Sequence, residues 1–137
     1  MKIRIEEVEC EKDEAEIHEK LREFNRSKRE ASAEIPLDIF YEDDNGTKQA
    51  GLISETFGNW LCIKYLFVSE AFRNKGIGKK IMQTAEETAR NRGCKYVFVD
   101  TFNFQAPEFY KALGFQEVFR LKNYPYNGSR YYYTKTL

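Results

Sequence analysis

Arg73-Asn74-Lys75-Gly76-Ile77-Gly78 joins cations, glycines and a helix start in one short stretch. The preceding Leu66-Phe67-Val68 reads as the end of a strand. From Ile77 the apolar residues recur at Ile81, Met82, Ala85 and Ala89, which is helical spacing. A strand, a glycine turn and a helix start make an anion cradle, because the first helical N–H groups lack intrahelical partners and carry partial positive charge. Gly76 and Gly78 place no Cβ between a ligand and the backbone. Arg73, Lys75, Lys79 and Lys80 crowd this helix start, where the dipole disfavours each cation by roughly 0.3–1 kcal/mol. A bound polyanion reverses that preference. Without one, the same residues are a solvated basic turn.

Known phosphate-binding patterns narrow the ligand. The Walker loop needs GxxxxGK followed by Ser or Thr, and Gly78-Lys79-Lys80 has neither the spacing nor the hydroxyl. The dinucleotide fingerprint GxGxxG fails at its third glycine, where Ile81 stands, and this turn lies mid-chain rather than in a first βα unit. A second segment, Asn103-Phe104-Gln105-Ala106-Pro107-Glu108-Phe109-Tyr110-Lys111-Ala112-Leu113-Gly114-Phe115, carries its own signals. Pro107 suits the first turn of a short helix, Gly114 suits its left-handed end, and Phe115 opens a strand. Tyr110 then lies mid-helix, where a tyrosine can simply pack with its hydroxyl hydrogen-bonded.

The span Leu66–Gly78 resembles the acyl-CoA motif Arg/Gln-x-x-Gly-x-Gly/Ala of the GNAT acetyltransferase superfamily. The span Asn103–Phe115 resembles the family's other CoA-side motif, N-x-x-A-x-x-[LF]-Y-x-x-x-G-F. Both occur in family order, and the likeness runs from about Gly51 to Phe119. It implies acetyl-CoA as cosubstrate and no metal, with direct transfer of acetyl to a primary amine through a tetrahedral intermediate. By motif match, Leu66, Phe67 and Val68 lie along the pantetheine arm. The turn residues Arg73, Asn74, Lys75, Gly76, Ile77, Gly78 and Lys79 hold the pyrophosphate. Asn103, Ala106, Phe109 and Tyr110 complete the CoA side. Tyr110 is the expected general acid for the leaving sulfur. The base is open between Glu55 and Asp100, either of which can equally be a solvated strand-end carboxylate.

The same features admit other classes. A non-catalytic acyl-CoA sensor would keep the cradle and tolerate loss of Tyr110. A nucleic-acid module would use the four cations with nearby aromatics and show steep salt dependence. Lys+Arg and Asp+Glu are both 22, and this balance argues against nucleic acid. Cys10, Cys62 and Cys94 form no CxxC pair, and His18 is the sole histidine, so neither a cysteine nucleophile nor a histidine zinc site is indicated. No apolar run approaches the ~18 residues of a membrane span, and the start Met1–Glu7 has no signal-peptide core, so a cytoplasmic protein is expected. The partners that the resemblance implies are acetyl-CoA and an amine-bearing small molecule or peptide, with no nucleic acid and no membrane.

The elements that must position these residues alternate along the chain. A strand is expected at about 2–8, then a charged helix from Asp13 to near Ser32, with a break possible around Asn25-Arg26-Ser27. Leu37–Tyr41 and Ala50–Ser54 flank the hairpin turn Asp44-Asn45-Gly46. Gly58-Asn59 feeds a strand from Trp60 to Val68. The helix from Gly76 ends at Arg90-Asn91-Arg92-Gly93, before strand Tyr96–Val99, the Pro107 helix and strands near 115–123 and 129–136. The fold class is therefore α/β, a GNAT-like mixed, mostly antiparallel central sheet flanked by helices, with residues 1–137 as a single domain. Monomer and homodimer both stay open, and Ser129–Thr136 is read as an exposed strand able to pair across a dimer.

Overall fold

Charge placement opens the first element of the computed structural model, which describes residues 1–28, 30 and 32–137. Helix α1 (Glu11–Arg26) begins with Glu11, Asp13 and Glu14 and ends with Arg26, matching its dipole. It starts two residues before the expected Asp13 and stops at the expected break. Ser27 Oγ donates to the Phe24 carbonyl at 2.7 Å. The rest of the helix expected to reach Ser32 includes Arg29 and Ala31, which lie outside the described residues. No strand forms over 2–8. Alternating Ile3 and Ile5 gave the pattern, but a strand also needs a partner for its backbone groups. Arg4 there pairs with Glu6 at 3.1 Å and Asp13 at 2.6 Å.

The chain divides into two units, Met1–Ser32 and Ala33–Leu137. Among the described residues, the second holds one seven-stranded sheet. Its strands are β1 (Glu34–Pro36), β2 (Ile39–Glu42), β3 (Lys48–Phe57), β4 (Trp60–Val68), β5 (Tyr96–Phe102), β6 (Gln116–Lys122) and β7 (Ser129–Thr136). A 3-10 turn at Glu70–Phe72 and helix α2 (Ile77–Asn91) connect β4 to β5. Helix α3 (Pro107–Ala112) connects β5 to β6. The order is β1-β3-β4-β5-β7-β6, with β2 also on β3, and β4–β5 is the parallel pair. The α/β class and the mixed, mostly antiparallel sheet are as expected.

Two expectations change. The first hairpin strand starts at Ile39 rather than Leu37, because Leu37 is buried and its N–H bonds the Ser54 carbonyl at 2.9 Å. Strand β7 is not an exposed edge: it is hydrogen-bonded to β5 along one side and β6 along the other, so it has no free edge to pair across a dimer. The connection through α3 sets β6 one strand position clear of β5, and the short loop 123–128 folds β7 back into the gap between them.

One face of the sheet is sealed by α2. Leu52, Leu61, Val97, Val99 and Tyr133 alternate along their strands on this face and meet Met82, Ala85 and Ala89 of the helix, all at most 1% exposed. Burying each large apolar side chain contributes about 1.5–3 kcal/mol. Two polar clasps fix the helix over the sheet. Glu86 pairs with Lys135 of β7 at 2.7 Å, and Arg92 Nη1 donates to the carbonyls of Ile35 and Pro36 and to Thr56 Oγ1 at 3.1–3.3 Å. These contacts hold the C-terminal half of α2 on the sheet.

Candidate active site

The turn before α2 is built from left-handed backbone. Asn74 has φ +61° and the N-cap residue Gly76 has φ +79°. The first intrahelical bond runs from Lys80 N–H to the Gly76 carbonyl at 3.0 Å. The N–H groups of Ile77, Gly78 and Lys79 therefore have no acceptor in the helix. The first turn carries no acidic side chain. Arg73 shapes the turn, its Nε donating to the Val68 carbonyl at 2.9 Å. Gly78 has a packing role: a Cβ there would lie 3.4 Å from the Phe109 ring and 3.6 Å from Val68 Cγ2. The open approach to the backbone is at Gly76, where a Cβ would meet nothing within 4 Å.

Beside this turn the sheet opens. Strands β4 and β5 pair only at Trp60↔Tyr96, Leu61↔Val97 and Cys62↔Phe98. Lys64 is a bulge residue, left between the pairs Ile53↔Tyr65 and Ser54↔Ile63 of β3 and β4. Such an extra residue bends a strand. Past it, residues 64–68 of β4 and 99–102 of β5 become opposite walls of a cleft of about 890 Å³. The α2 turn and α3 close its ends. That volume lies within the range of small-molecule and cofactor sites.

Register assigns each wall residue to a face. Leu66 and Val68 oppose the buried Leu52 and Ala50, so they point toward α2, while Tyr65 and Phe67 point away from it. On β5, Val99 and Thr101 are buried on the α2 face, and Asp100 and Phe102 point away. Tyr110 reaches the cleft from the α2 face. Its ring stands edge-on to Phe109 and Phe115 and lies 6.3 Å from Tyr133. Burial, with a smaller contribution from the Asp100 charge, pushes its hydroxyl up to about 12. The phenol therefore keeps its proton at any working pH.

Asp100 lies in the cleft with one oxygen engaged. Its Oδ1 accepts from Arg130 Nε at 3.1 Å and from a terminal nitrogen at 2.8 Å. The Arg130 guanidinium sits 5.5–5.8 Å from the rings of Phe102, Tyr124 and Tyr132. The other candidate base is placed elsewhere: Glu55 points to the same face but does not line the cleft, and it pairs with Lys64 at 3.6 Å.

Most of the expected CoA-side residues meet at this cleft. Leu66, Phe67, Val68, Arg73, Asn74 and Gly76 line it, as do Ile77, Gly78, Lys79, Ala106, Phe109 and Tyr110. Lys75 and Asn103 do not. The Lys75 ammonium lies 5.3 Å over the Phe72 ring. Asn103 Oδ1 accepts the Ser129 N–H at 3.1 Å, which pins the 124–128 loop. Gly128 is required in that loop, since a Cβ would come within 2.7 Å of the Tyr124 carbonyl. Sequence reading missed Arg130, Phe102 and Phe104. Only the strand order puts Arg130 opposite Phe102, and no local spacing carries that information.

Among the described residues, no group of three or more His, Cys, Asp or Glu is placed to hold a metal ion, and no helix is long and apolar enough to cross a membrane. The sequence profile of the acetyltransferase (GNAT) family matches residues 4–115. An acetyltransferase of Agrobacterium fabrum is 35% identical over 102 residues, 74% of each chain. Blasticidin-S acetyltransferase of Streptomyces morookaense is 31% identical over 94 residues, 66% of this chain and 69% of its own. The crystal structure of a protein from Agrobacterium tumefaciens assigned as an acetyltransferase superposes over 100% of both chains, with TM-score 0.94 and 31% identity.

Proposed function

The chain belongs to the acetyltransferase (GNAT) family, and we propose that it moves an acetyl group directly from acetyl-CoA to a primary amine, residues 1–137 acting as one domain. The observation that carries this reading is the cleft between β4 and β5, which Tyr110 enters from one face and Asp100 from the other.

In this reading the free N–H groups of Ile77, Gly78 and Lys79 hold the CoA pyrophosphate, helped by the helix dipole and the cations around it. The pantetheine arm lies along the edge of β4 at 66–68, and backbone near Val68 polarises the thioester carbonyl. A lysine-like amine is neutral at only about one part in 10³ at pH 7. It first gives a proton to solvent, with Asp100 orienting the ammonium or an intervening water. The neutral nitrogen attacks the carbonyl carbon, and the C–S bond then breaks. Tyr110 hydrogen-bonds and protonates the departing sulfur, and the nitrogen's surplus proton restores the phenol. The products are an acetamide and the CoA thiol. General acid–base assistance of this kind is worth about 10²–10⁴ in rate.

Thermal unfolding with acetyl-CoA, with ATP and NAD as phosphate controls, tests the donor assignment. Ligand at about 100 times its dissociation constant stabilises by about 2.7 kcal/mol, a shift of several degrees. A shift specific to acetyl-CoA supports the reading. Equal shifts with all three, or none, would overturn it.

A further inference from the structure

The face of the cleft away from α2 has a composition that restricts the acceptor. Register places Tyr65, Phe67 and Phe102 on this face, and Phe104 stacks on Phe102 with centroids 5.2 Å apart and planes 16° apart. All four line the cleft, and Tyr65, Phe67 and Phe104 are 60–74% exposed. Large aromatic side chains held in water at the lip of a cleft are a binding surface awaiting a flat or apolar partner. Among them stands Asp100, whose Oδ1 serves Arg130 while Oδ2 has no hydrogen bond among the described residues.

Charge excludes one obvious class. A polyamine or aminosugar needs several carboxylates, and this mouth has one free carboxylate oxygen. Glu55 is paired to Lys64. Lys64 and Arg130, which line the cleft, offset Glu55 and Asp100, so the mouth has no surplus negative charge to draw a second and third ammonium. What remains is a single ammonium for Asp100, with rings to cover the body that carries it. Aromatic faces attract both that cation and a flat ring beside it.

We propose that the acceptor is a monocationic amine on a flat aromatic skeleton, the arylalkylamine class, held by Asp100 and the Phe102–Phe104 stack. This rests on the acetyl-transfer reading above. The arrangement is built rather than incidental. The loop pinned by Asn103 sets the Tyr124 ring 5.6 Å from that of Phe102, and Arg130 sits against both while fixing Asp100.

The test is thiol release from acetyl-CoA with 2-phenylethylamine, n-hexylamine and spermidine, run beside the acetyl-CoA thermal shift. The expected result is a kcat/KM for 2-phenylethylamine about tenfold above both other amines. Phe104→Leu should shrink the phenylethyl-to-hexyl ratio to below about threefold. Phe104 is 74% exposed, so this variant keeps the fold, and an intact acetyl-CoA shift verifies it. Asp100→Asn should raise KM for both monoamines while leaving their ratio in place. With the acetyl-CoA shift present, equal or better turnover of spermidine, or a ratio unmoved by Phe104→Leu, overturns the acceptor class and leaves the donor reading standing. With the shift absent, both fall.

Discussion

Tyr110 and Asp100 address one gap from opposite faces of one sheet, the phenol from the side that carries α2 and the carboxylate from the other. They also sense each other, since the Asp100 charge adds to burial in holding the Tyr110 proton up to about 12. In the proposed acetyl transfer, an acid and a carboxylate on opposite sides of the thioester suit a reaction in which the nucleophile arrives where the leaving group does not depart.

The raised tyrosine has a stability signature. Its unfolded value is near 10, so between pH 10 and about 12 the unfolded chain releases a proton that the folded chain keeps. The stabilising contribution is therefore complete below pH 10 and is lost as pH rises toward 12. The size is on the order of 2–3 kcal/mol. Tyr133 is also raised, so the comparison must be differential. Melting temperature against pH should fall more steeply between 10 and 12 in the native protein than in Tyr110→Phe. Parallel curves would show that Tyr110 does not hold its proton in this way.

Tyr110→Phe should also separate chemistry from binding. The ring and its edge-on contacts remain, so the acetyl-CoA thermal shift should be nearly unchanged. Turnover should drop about 10²-fold, the lower end of what general acid help supplies. Unchanged turnover would remove Tyr110 from the mechanism. A protein with an intact shift that never turned over any amine would behave as an acyl-CoA sensor.

At Gly76 the demand is conformational. A side chain there meets nothing within 4 Å, but φ is +79°. Gly76→Val should cost about 1–2 kcal/mol and weaken acetyl-CoA binding, whereas Gly76→Asn, which tolerates left-handed backbone, should do less of both. Equal losses would point to steric crowding. Denaturant unfolding and ligand titration read the two effects.

The Glu86–Lys135 pair tests how α2 is held over β7. Lys135→Met leaves a carboxylate 4% exposed without its partner, at a cost of about 3 kcal/mol. Adding Glu86→Leu should recover much of that loss, because the buried charge goes with it. A double variant no better than the single would mean that the pair is not the source.

The helix period, the glycine turn, the Pro107 start and the Asn45-Gly46 hairpin were legible because each is set by residues close together in the chain. The terminal arm misled for a physical reason: Ile3 and Ile5 alternate, but pairing partners are chosen by tertiary packing. The insertion of β7 between β5 and β6 is equally non-local, and with it went Arg130. The strand register also sets the two candidate bases apart in space. Glu55 and Asp100 look alike in sequence, yet one lies in the cleft and the other is a strand away beside Lys64.

Three residue pairs join the β1-β3-β4 half of the sheet to the β5-β7-β6 half. Such a seam is the weakest line in the architecture, and the bulge at Lys64 keeps it from zipping further. A cosubstrate laid along the open stretch would supply the missing stitch. The empty enzyme should then exchange amide hydrogens fastest at 64–68 and 99–102 within these strands, and loading should slow that exchange before any chemistry occurs.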